Sequence, residues 1–255
     1  MILTVDIGNT NVVIGCFDEN EQLLFLERLS TNRQRSAADY LVRLHQLLKL
    51  YHLKGAQICG SVLSSVVPPV TESMSNAIRR LTGAAPLIVG PGIRTGLNLC
   101  MDQPALVGSD LIVGAVAAIH RYPLPLIMID LGTATTFSAI DEQHNYLGTI
   151  ILPGVRTAMD SLSSAAAQLP RIALEAPAHV LGKNTIASMQ SGAVYGNASC
   201  IDGMIDRIEQ ELGKKTTVVA TGGLAPAITR HCLHEIITDD TLLLFGLLKL
   251  YQLNQ

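Results

Sequence analysis

The stretch Ile2-Leu3-Thr4-Val5-Asp6-Ile7-Gly8-Asn9-Thr10 decides the fold, because it recurs as Leu126-Ile127-Met128-Ile129-Asp130-Leu131-Gly132-Thr133-Ala134-Thr135. Each copy is a short apolar run that ends in Asp-x-Gly and small polar residues, and a second strand-like stretch and a polar turn follow it. Apolar runs of this length, bounded by turn residues, are typical of buried strands. The sequence therefore predicts two β-hairpins, one at the start of each half of the chain.

Each Asp-x-Gly turn has the chemistry to hold a phosphate and a cation. Asp6 offers a carboxylate to hydrated Mg²⁺, since hard cations prefer oxygen ligands. Gly8 allows a close approach of the backbone, and Asn9, Thr10 and Asn11 supply hydrogen-bond donors. A hairpin turn that merely favours Asp, Gly and Asn would explain one copy. Two copies at corresponding places favour a nucleoside triphosphate held by both halves.

The composition excludes several classes of function. The 255 residues are 48% hydrophobic and 15% charged, with a net charge of −3, no tryptophan and 4% aromatic residues. The apolar content is enough for the cores of two lobes. The charge and aromatic content provide neither a basic face nor a base-stacking surface, so we expect no nucleic-acid partner and no membrane partner. Five cysteines without a Cys-x-x-Cys motif, and no apolar run long enough to span a bilayer, predict a cytoplasmic protein with reduced thiols.

Strand-like and helix-like segments alternate along the chain, which predicts α/β architecture. Helical spacing of apolar residues predicts helices over 37–51, 70–81, about 109–120, 156–167, 185–212 (one helix or two) and 242–251, with Ser36 as an N-cap. Strands are predicted over 58–67, 86–89 and 217–220. The repeat of the opening hairpin places the lobes at residues 1–121 and 122–255.

Two further motifs allow a functional and a purely structural interpretation. Gly222 and Gly223 follow a predicted strand. In the functional interpretation, their bare backbone lets a flat adenine lie close. In the structural interpretation, the turn simply needs a residue that adopts a positive φ. Asp110 begins an apolar helix, where carboxylates are common because the helix dipole favours them. It is also placed as the acceptor of a proton from a substrate hydroxyl, a role that phosphoryl transfer requires.

Together these segments resemble the type III pantothenate kinases of the acetate kinase/Hsp70/actin superfamily. Asp6–Thr10 is similar to the first phosphate motif, Asp130–Thr136 to the second and Thr221–Ala225 to the adenosine region, and the resemblance runs nearly the whole length. It implies an α/β fold of two actin-like (ribonuclease H-like) lobes with a nucleotide cleft between them, assembled as a homodimer. It also implies ATP-dependent phosphorylation of pantothenate to 4′-phosphopantothenate, the first step of coenzyme A biosynthesis, with Mg²⁺ and a monovalent cation, K⁺ or NH₄⁺.

The resemblance also implies a role for individual residues. Asp110 would be the catalytic proton acceptor. Asp6 and Asp130 would hold the metal ions, with the monovalent cation at Asp130. The ATP ligands would be Asp6, Ile7, Gly8, Asn9, Thr10, Asn11, Val12, Val13, Thr133, Gly222 and Gly223, and the pantothenate ligands would be Met101, Gly108, Ser109, Asp110, Leu111 and Thr185.

The segment before and after Asp110 departs from the family pattern. Leu111 and Gly114 stand where the family usually has arginine and asparagine, Met101 stands where it has tyrosine, and Thr149 replaces a glycine. The ATP side therefore matches while the acceptor side is altered. This leaves two alternatives to a pantothenate kinase: a non-catalytic, nucleotide-binding regulatory relative, and a kinase for another small hydroxyl substrate.

Overall fold

The computed structural model describes residues 1–255 as alternating strands and helices. The strands are β1 (Ile2–Ile7), β2 (Asn11–Phe17), β3 (Leu23–Ser30), β4 (Gly60–Ser65), β5 (Leu87–Ile88), β6 (Asn98–Leu99), β7 (Leu126–Leu131), β8 (Ala134–Ile140), β9 (Asn145–Pro153), β10 (Thr217–Thr221) and β11 (Ile237–Thr238). The helices are α1 (Ala37–Leu50), α2 (Pro68–Thr82), α3 (Ser109–Arg121), α4 (Val155–Ala165), α5 (Thr185–Ser191), α6 (Asn197–Leu212), α7 (Ala225–Thr229) and α8 (Leu242–Leu253). The predicted α/β class is confirmed.

The chain forms two compact units, each built around its own sheet. Unit 1 contains Met1–Leu97, Asp102–His120 and Thr241–Gln255, and unit 2 contains Asn98–Met101 and Arg121–Asp240. The predicted lobe bounds, 1–121 and 122–255, differ from these units mainly in the last helix and in the segment that contains β6.

The last helix belongs to unit 1 and is apolar on nearly every side. Seven of its residues are buried: Leu242, Leu244, Phe245, Gly246, Leu247, Leu248 and Leu250. It packs against β1, β2 and β4, and a Cβ atom at Gly246 would collide with the backbone of Val113 in α3. A glycine at this point is therefore what allows the two helices to touch.

The sheet of unit 1 has the order β3-β2-β1-β4-β5, with β1 antiparallel to β2 and parallel to β4. Successive side chains of a strand point to opposite faces. Leu3, Val5 and Ile7 enter the apolar core that α1 and α2 cover. Asp6 therefore lies on the other face, at the end of the central strand.

The helix α1 shows why the sequence folds locally as predicted. The Ser36 hydroxyl accepts a hydrogen bond from the N–H of Asp39, and the Asp39 carboxylate accepts one from the N–H of Ser36 at 2.9 Å. This capping box satisfies donors that the first helical turn leaves without partners. The predicted N-cap is confirmed.

The sheet of unit 2 has the order β11-β10-β7-β8-β9-β6, with β7 antiparallel to β8 and parallel to β10. Ile127, Ile129 and Leu131 enter a core shared with residues of α4, α6 and α7. The alternation of side chains puts Asp130 on the opposite face. No helix of the structure combines the length and apolar character needed to cross a bilayer.

The predicted helix over 185–212 is continuous but not uniform. Its two α-helical parts, α5 and α6, are joined by a π-helical turn over Gly192–Gly196. Such turns shift the helix face by inserting an extra residue. The Asn184 side chain caps the first part by accepting from the N–H of Ala187 at 2.9 Å.

Candidate functional site

The first Asp-x-Gly turn is held rigidly by its own backbone and by a neighbouring loop. The N–H of Gly8 donates to the carbonyl of Asn11 at 2.9 Å. The Thr31 hydroxyl donates to the carbonyl of Gly8 at 2.7 Å, and the N–H of Thr31 donates to the carbonyl of Thr10 at 2.9 Å. Asn9, Thr10 and Asn11 are exposed. These residues therefore lie at the surface on a fixed turn, as a phosphate site requires.

Asp6 stands directly before this turn and is only 7% exposed. In the strand register it lies opposite Val13 on β2 and Ser64 on β4. Asp6 also has an interaction partner within the protein. A buried carboxylate beside serine hydroxyls is a set of hard oxygen donors, which suits Mg²⁺ and its bound water.

The start of α3 is joined to the same edge of the sheet. The Ser64 hydroxyl donates to the Ser109 hydroxyl at 3.1 Å, and the Ser109 hydroxyl contacts the carbonyl of Ser65 at 3.3 Å. Because Ser64 is the register neighbour of Asp6, these bonds bring the predicted acceptor segment 108–111 beside the predicted phosphate segment. The Ser64 link was not foreseen from sequence.

Asp110 is partly exposed in the first turn of α3. Its Oδ1 accepts a hydrogen bond from the N–H of Leu111 at 2.9 Å. A Cβ atom at Gly108 would lie 2.5 Å from that oxygen, so glycine is needed for this orientation. No hydrogen bond is formed by Oδ2, which leaves one oxygen of the carboxylate available to an incoming hydroxyl.

The predicted pantothenate ligands include an apolar residue, Leu111, and two residues of the other unit. The Leu111 side chain is 9% exposed, and Gly114 in the next turn is buried. The segment therefore offers no cation where the family pattern has arginine. Met101 and Thr185 belong to unit 2 rather than unit 1.

Two loops approach the second Asp-x-Gly turn closely, each through a glycine. At Gly222, φ is +97°, and an added Cβ would lie 2.6 Å from Asp130 Oδ1 and 2.6 Å from the carbonyl oxygen of Leu131. A Cβ at Gly154 would collide with the backbone of Gly132 and Thr133. Gly223 faces open space. The loops can close around the turn only because these positions lack side chains.

Thr133 is positioned by the start of α4. Its carbonyl accepts a hydrogen bond from the N–H of Gly154 at 3.1 Å and one from the Thr157 hydroxyl at 2.8 Å. The side chain of Thr133 is exposed at the tip of the turn. Gly154 and Thr157 were not predicted as site residues, although the Pro153-Gly154 break between β9 and α4 marks the place.

A cavity of about 730 Å³ in unit 2 contains Thr185. Apolar residues of α4 and of the segment after it form one part of the wall, and residues between 182 and 197 form the rest. Lys183, Asn184 and Thr185 add polar groups to that second part. Thr185 is the exposed first residue of α5. The cavity is large enough for a small organic acceptor.

A second polar cluster of unit 2 lies outside these loops. Asp206, Glu209 and His234 place their ligand atoms within 4.8 Å of one another. His234 pairs through Nδ1 with Asp202 at 3.0 Å and through Nε2 with Asp206 at 3.1 Å, and Glu209 pairs with Lys215 at 2.7 Å. Ion pairs within the protein account for the cluster.

Comparisons with known proteins identify the chain at the level of family and fold. The family model of type III pantothenate kinase matches residues 2–207. A type III pantothenate kinase from Exiguobacterium sp. AT1b is 43% identical over 255 residues, and one from Exiguobacterium sibiricum is 44% identical; each match covers 100% of both chains.

Solved structures at low identity share the fold. The ADPNP-bound activator of 2-hydroxyisocaproyl-CoA dehydratase from Clostridium difficile matches with a TM-score of 0.58 at 15% identity, covering 99% of this chain and 94% of that chain. Component A of (R)-2-hydroxyglutaryl-CoA dehydratase from Acidaminococcus fermentans matches with a TM-score of 0.56 at 15% identity, covering 98% and 96%. The family model and the full-length relatives show that the chain belongs to the type III pantothenate kinase family.

Proposed function

We propose that this protein transfers the γ-phosphate of ATP to the primary hydroxyl of pantothenate, giving 4′-phosphopantothenate for coenzyme A biosynthesis. The observation that carries the proposal is the match over the whole chain to relatives named type III pantothenate kinase. The non-catalytic alternative is not favoured, because the full-length relatives carry the name of an enzyme.

On the ATP side, the two turns supply donors to the phosphates. The backbone and side chains from Asp6 to Val13 and the side chain of Thr133 would contact the phosphate oxygens, and Gly222 with Gly223 would accept the adenosine. Mg²⁺, when bound, supplies positive charge to the transferring phosphoryl group. Asp6, with the neighbouring Ser64 hydroxyl, is the donor set of unit 1 that fits it.

On the acceptor side, Asp110 would orient the hydroxyl of pantothenate and take its proton. Phosphoryl transfer passes through a loose transition state, so positioning matters more than the strength of the base. The free Oδ2 of Asp110 is suited to this role, because Oδ1 is already fixed by the N–H of Leu111.

The carboxylate of pantothenate needs a cationic partner, and buried Leu111 cannot provide one. Lys183 and Arg156 are the nearest candidates in sequence to Thr185 and to the start of α4. We infer that Lys183, which lines the cavity together with Thr185, supplies this charge.

The turnover assay tests the proposal directly. Purified protein with ATP, Mg²⁺ and K⁺ is expected to release ADP only when pantothenate is present, and phosphorus NMR should identify the product as the phosphate ester. Asp110→Asn should lower kcat by at least about a hundredfold, the usual scale of a lost general base, with ATP affinity retained. Glu19→Gln, at an exposed turn, is the control and should leave kcat unchanged.

A preparation that binds ATP but releases no pantothenate-dependent ADP with any monovalent cation would overturn the assignment of substrate. Screening other small hydroxyl compounds would then decide whether the altered acceptor segment serves a different substrate.

We also propose that the enzyme is a cytoplasmic homodimer that needs K⁺ or NH₄⁺ at Asp130, with no nucleic-acid or membrane partner. Light scattering after size-exclusion chromatography tests the dimer.

A further inference from the structure

Two threonine hydroxyls next to the second turn are buried without a hydrogen-bond partner. They are Thr135 Oγ1 and Thr136 Oγ1, and they are the only buried side-chain oxygen or nitrogen atoms of the structure in this state. Buried polar groups are nearly always bonded, and an exception calls for an explanation such as a bound water or ion. The two hydroxyls are adjacent in sequence but lie in different surroundings.

Thr135 and Thr136 point to opposite faces of the sheet, because successive residues of a strand alternate. Thr135 is the register partner of Leu131 and is 4% exposed, on the face that carries the apolar core of unit 2 with Leu131 and Phe137. The Thr135 hydroxyl is therefore buried on the apolar side of the sheet.

Thr136 is the register partner of Asp130 on β7, and Thr221 is the partner of Asp130 on β10. Paired residues of neighbouring strands share a face, so Thr221, Asp130 and Thr136 form a row across three strands with the carboxylate in the middle. Side chains that are directly opposite have Cβ atoms roughly 4.5–5.5 Å apart. Thr136 nevertheless makes no hydrogen bond to the carboxylate.

Two oxygen atoms lie close together where Gly222 approaches Asp130. Asp130 Oδ1 lies where a Cβ of Gly222 would be only 2.6 Å away, and the carbonyl oxygen of Leu131 borders the same spot at 2.6 Å. Carboxylate, hydroxyl and carbonyl oxygens are the ligands of hard cations. The donor set on this face therefore fits the monovalent cation that the proposed function assigns to Asp130.

We propose that Thr136 Oγ1 is a second side-chain ligand of that cation, so that the ion joins β7 to β8 through Asp130 and Thr136. This inference rests on the proposed function for the presence of the cation. The bound ion would satisfy the buried hydroxyl of Thr136 and place positive charge beside the phosphate-binding turn. Thr135, on the opposite face, takes no part.

The test compares two matched variants with a readout that does not depend on turnover. Thr136→Val and Thr135→Val each replace one buried hydroxyl by a methyl group of similar shape. Thermal unfolding is followed while K⁺ is titrated against choline at constant ionic strength, because an ion that binds the folded state raises the melting temperature. The wild-type protein and Thr135→Val are expected to show the same half-effect concentration of K⁺.

Thr136→Val should raise the half-effect concentration roughly tenfold to hundredfold, the scale of a lost bond to a charged group. Thr136→Ser, which keeps the hydroxyl, should restore a value near that of the wild type. Crystals soaked in Tl⁺, a heavy stand-in for K⁺, should show an anomalous peak between Asp130 and Thr136.

Three results would overturn the inference: equal K⁺ dependence in Thr136→Val and the wild type, an equal loss in Thr135→Val, or no K⁺ effect at all. A peak at Asp130 and Thr136 in a protein that does not phosphorylate pantothenate would support the ion site and refute the proposed substrate. Conversely, turnover of pantothenate that depends on K⁺ and is unchanged by Thr136→Val would support the proposed substrate and refute Thr136 as a ligand of the ion.

Discussion

Gly222→Ala separates the structural from the ligand-binding role of the two glycines after β10. The backbone of Gly222 has φ +97°, a conformation that a residue with a Cβ rarely adopts. Left-handed backbone costs an L-residue about 1–2 kcal/mol. The added Cβ would also lie 2.6 Å from Asp130 Oδ1 and from the carbonyl oxygen of Leu131, and overpacking of this kind costs typically 1–3 kcal/mol.

These two costs sum to about 2–5 kcal/mol of lost stability. For a chain of this size, each kcal/mol corresponds to about 2–4 °C in Tm, so the melting temperature should fall by roughly 4–20 °C. The fall is measured by calorimetry and by urea unfolding without ligand.

Gly223→Ala is the matched control, because a Cβ at Gly223 meets nothing within 4 Å. Its Tm should stay within about 2 °C of the wild type, as surface substitutions usually change stability by less than ~0.5 kcal/mol. If the adenosine lies on this bare backbone, ATP affinity measured by titration calorimetry should nevertheless weaken. A Gly222→Ala protein as stable as the wild type would refute the reasoning about the turn.

Two further variants test interactions far from the ligands. Ser36→Ala removes the capping box of α1 and should lower the free energy of unfolding by about 1 kcal/mol in urea denaturation; an unchanged value would mean that α1 does not need its cap. Burial raises the pKa of Asp202, but bonds from the N–H groups of Leu233 and His234 and from the His234 ring outweigh it, so that the pKa lies below the usual 3.8. A lowered pKa contributes stability above the unfolded value that is lost as pH falls through the folded one. Asp202→Asn should therefore be less stable at pH 7 and show a shallower loss of stability below about pH 4; parallel acid-unfolding curves for variant and wild type would contradict this.

Local signals identified the elements that carry the site. A few consecutive residues are enough to predict the opening hairpins, the cap at Ser36 and the helix that begins near Asp110. Turns, caps and strand ends depend mainly on neighbours in sequence. The strands β3 and β9 were absent from the prediction. Glu27 and Arg28 follow the apolar start of β3, and β9 contains Gly148 and ends in Pro153, so an apolar run covers only part of each strand.

Contacts between segments that are far apart in the chain could not be predicted from the sequence. The apolar helix α8 had no signal that would place it against β1, β2 and β4, since any exposed apolar face could have covered it. The bond between Ser64 and Ser109 likewise depends on strands and a helix that meet only in the folded unit.

By itself, the sequence determined the chemistry available to this protein: two acid-and-glycine turns, a second pair of glycines, and an aspartate at a helix start, because each of these is encoded by adjacent residues. Only the tertiary structure decided which groups face one another. The strand register put Thr136 beside Asp130 and Thr135 in the core, although the two are chemically identical neighbours. Their environments differ because the face that a strand residue occupies is fixed by pairing and packing with segments far away in the chain.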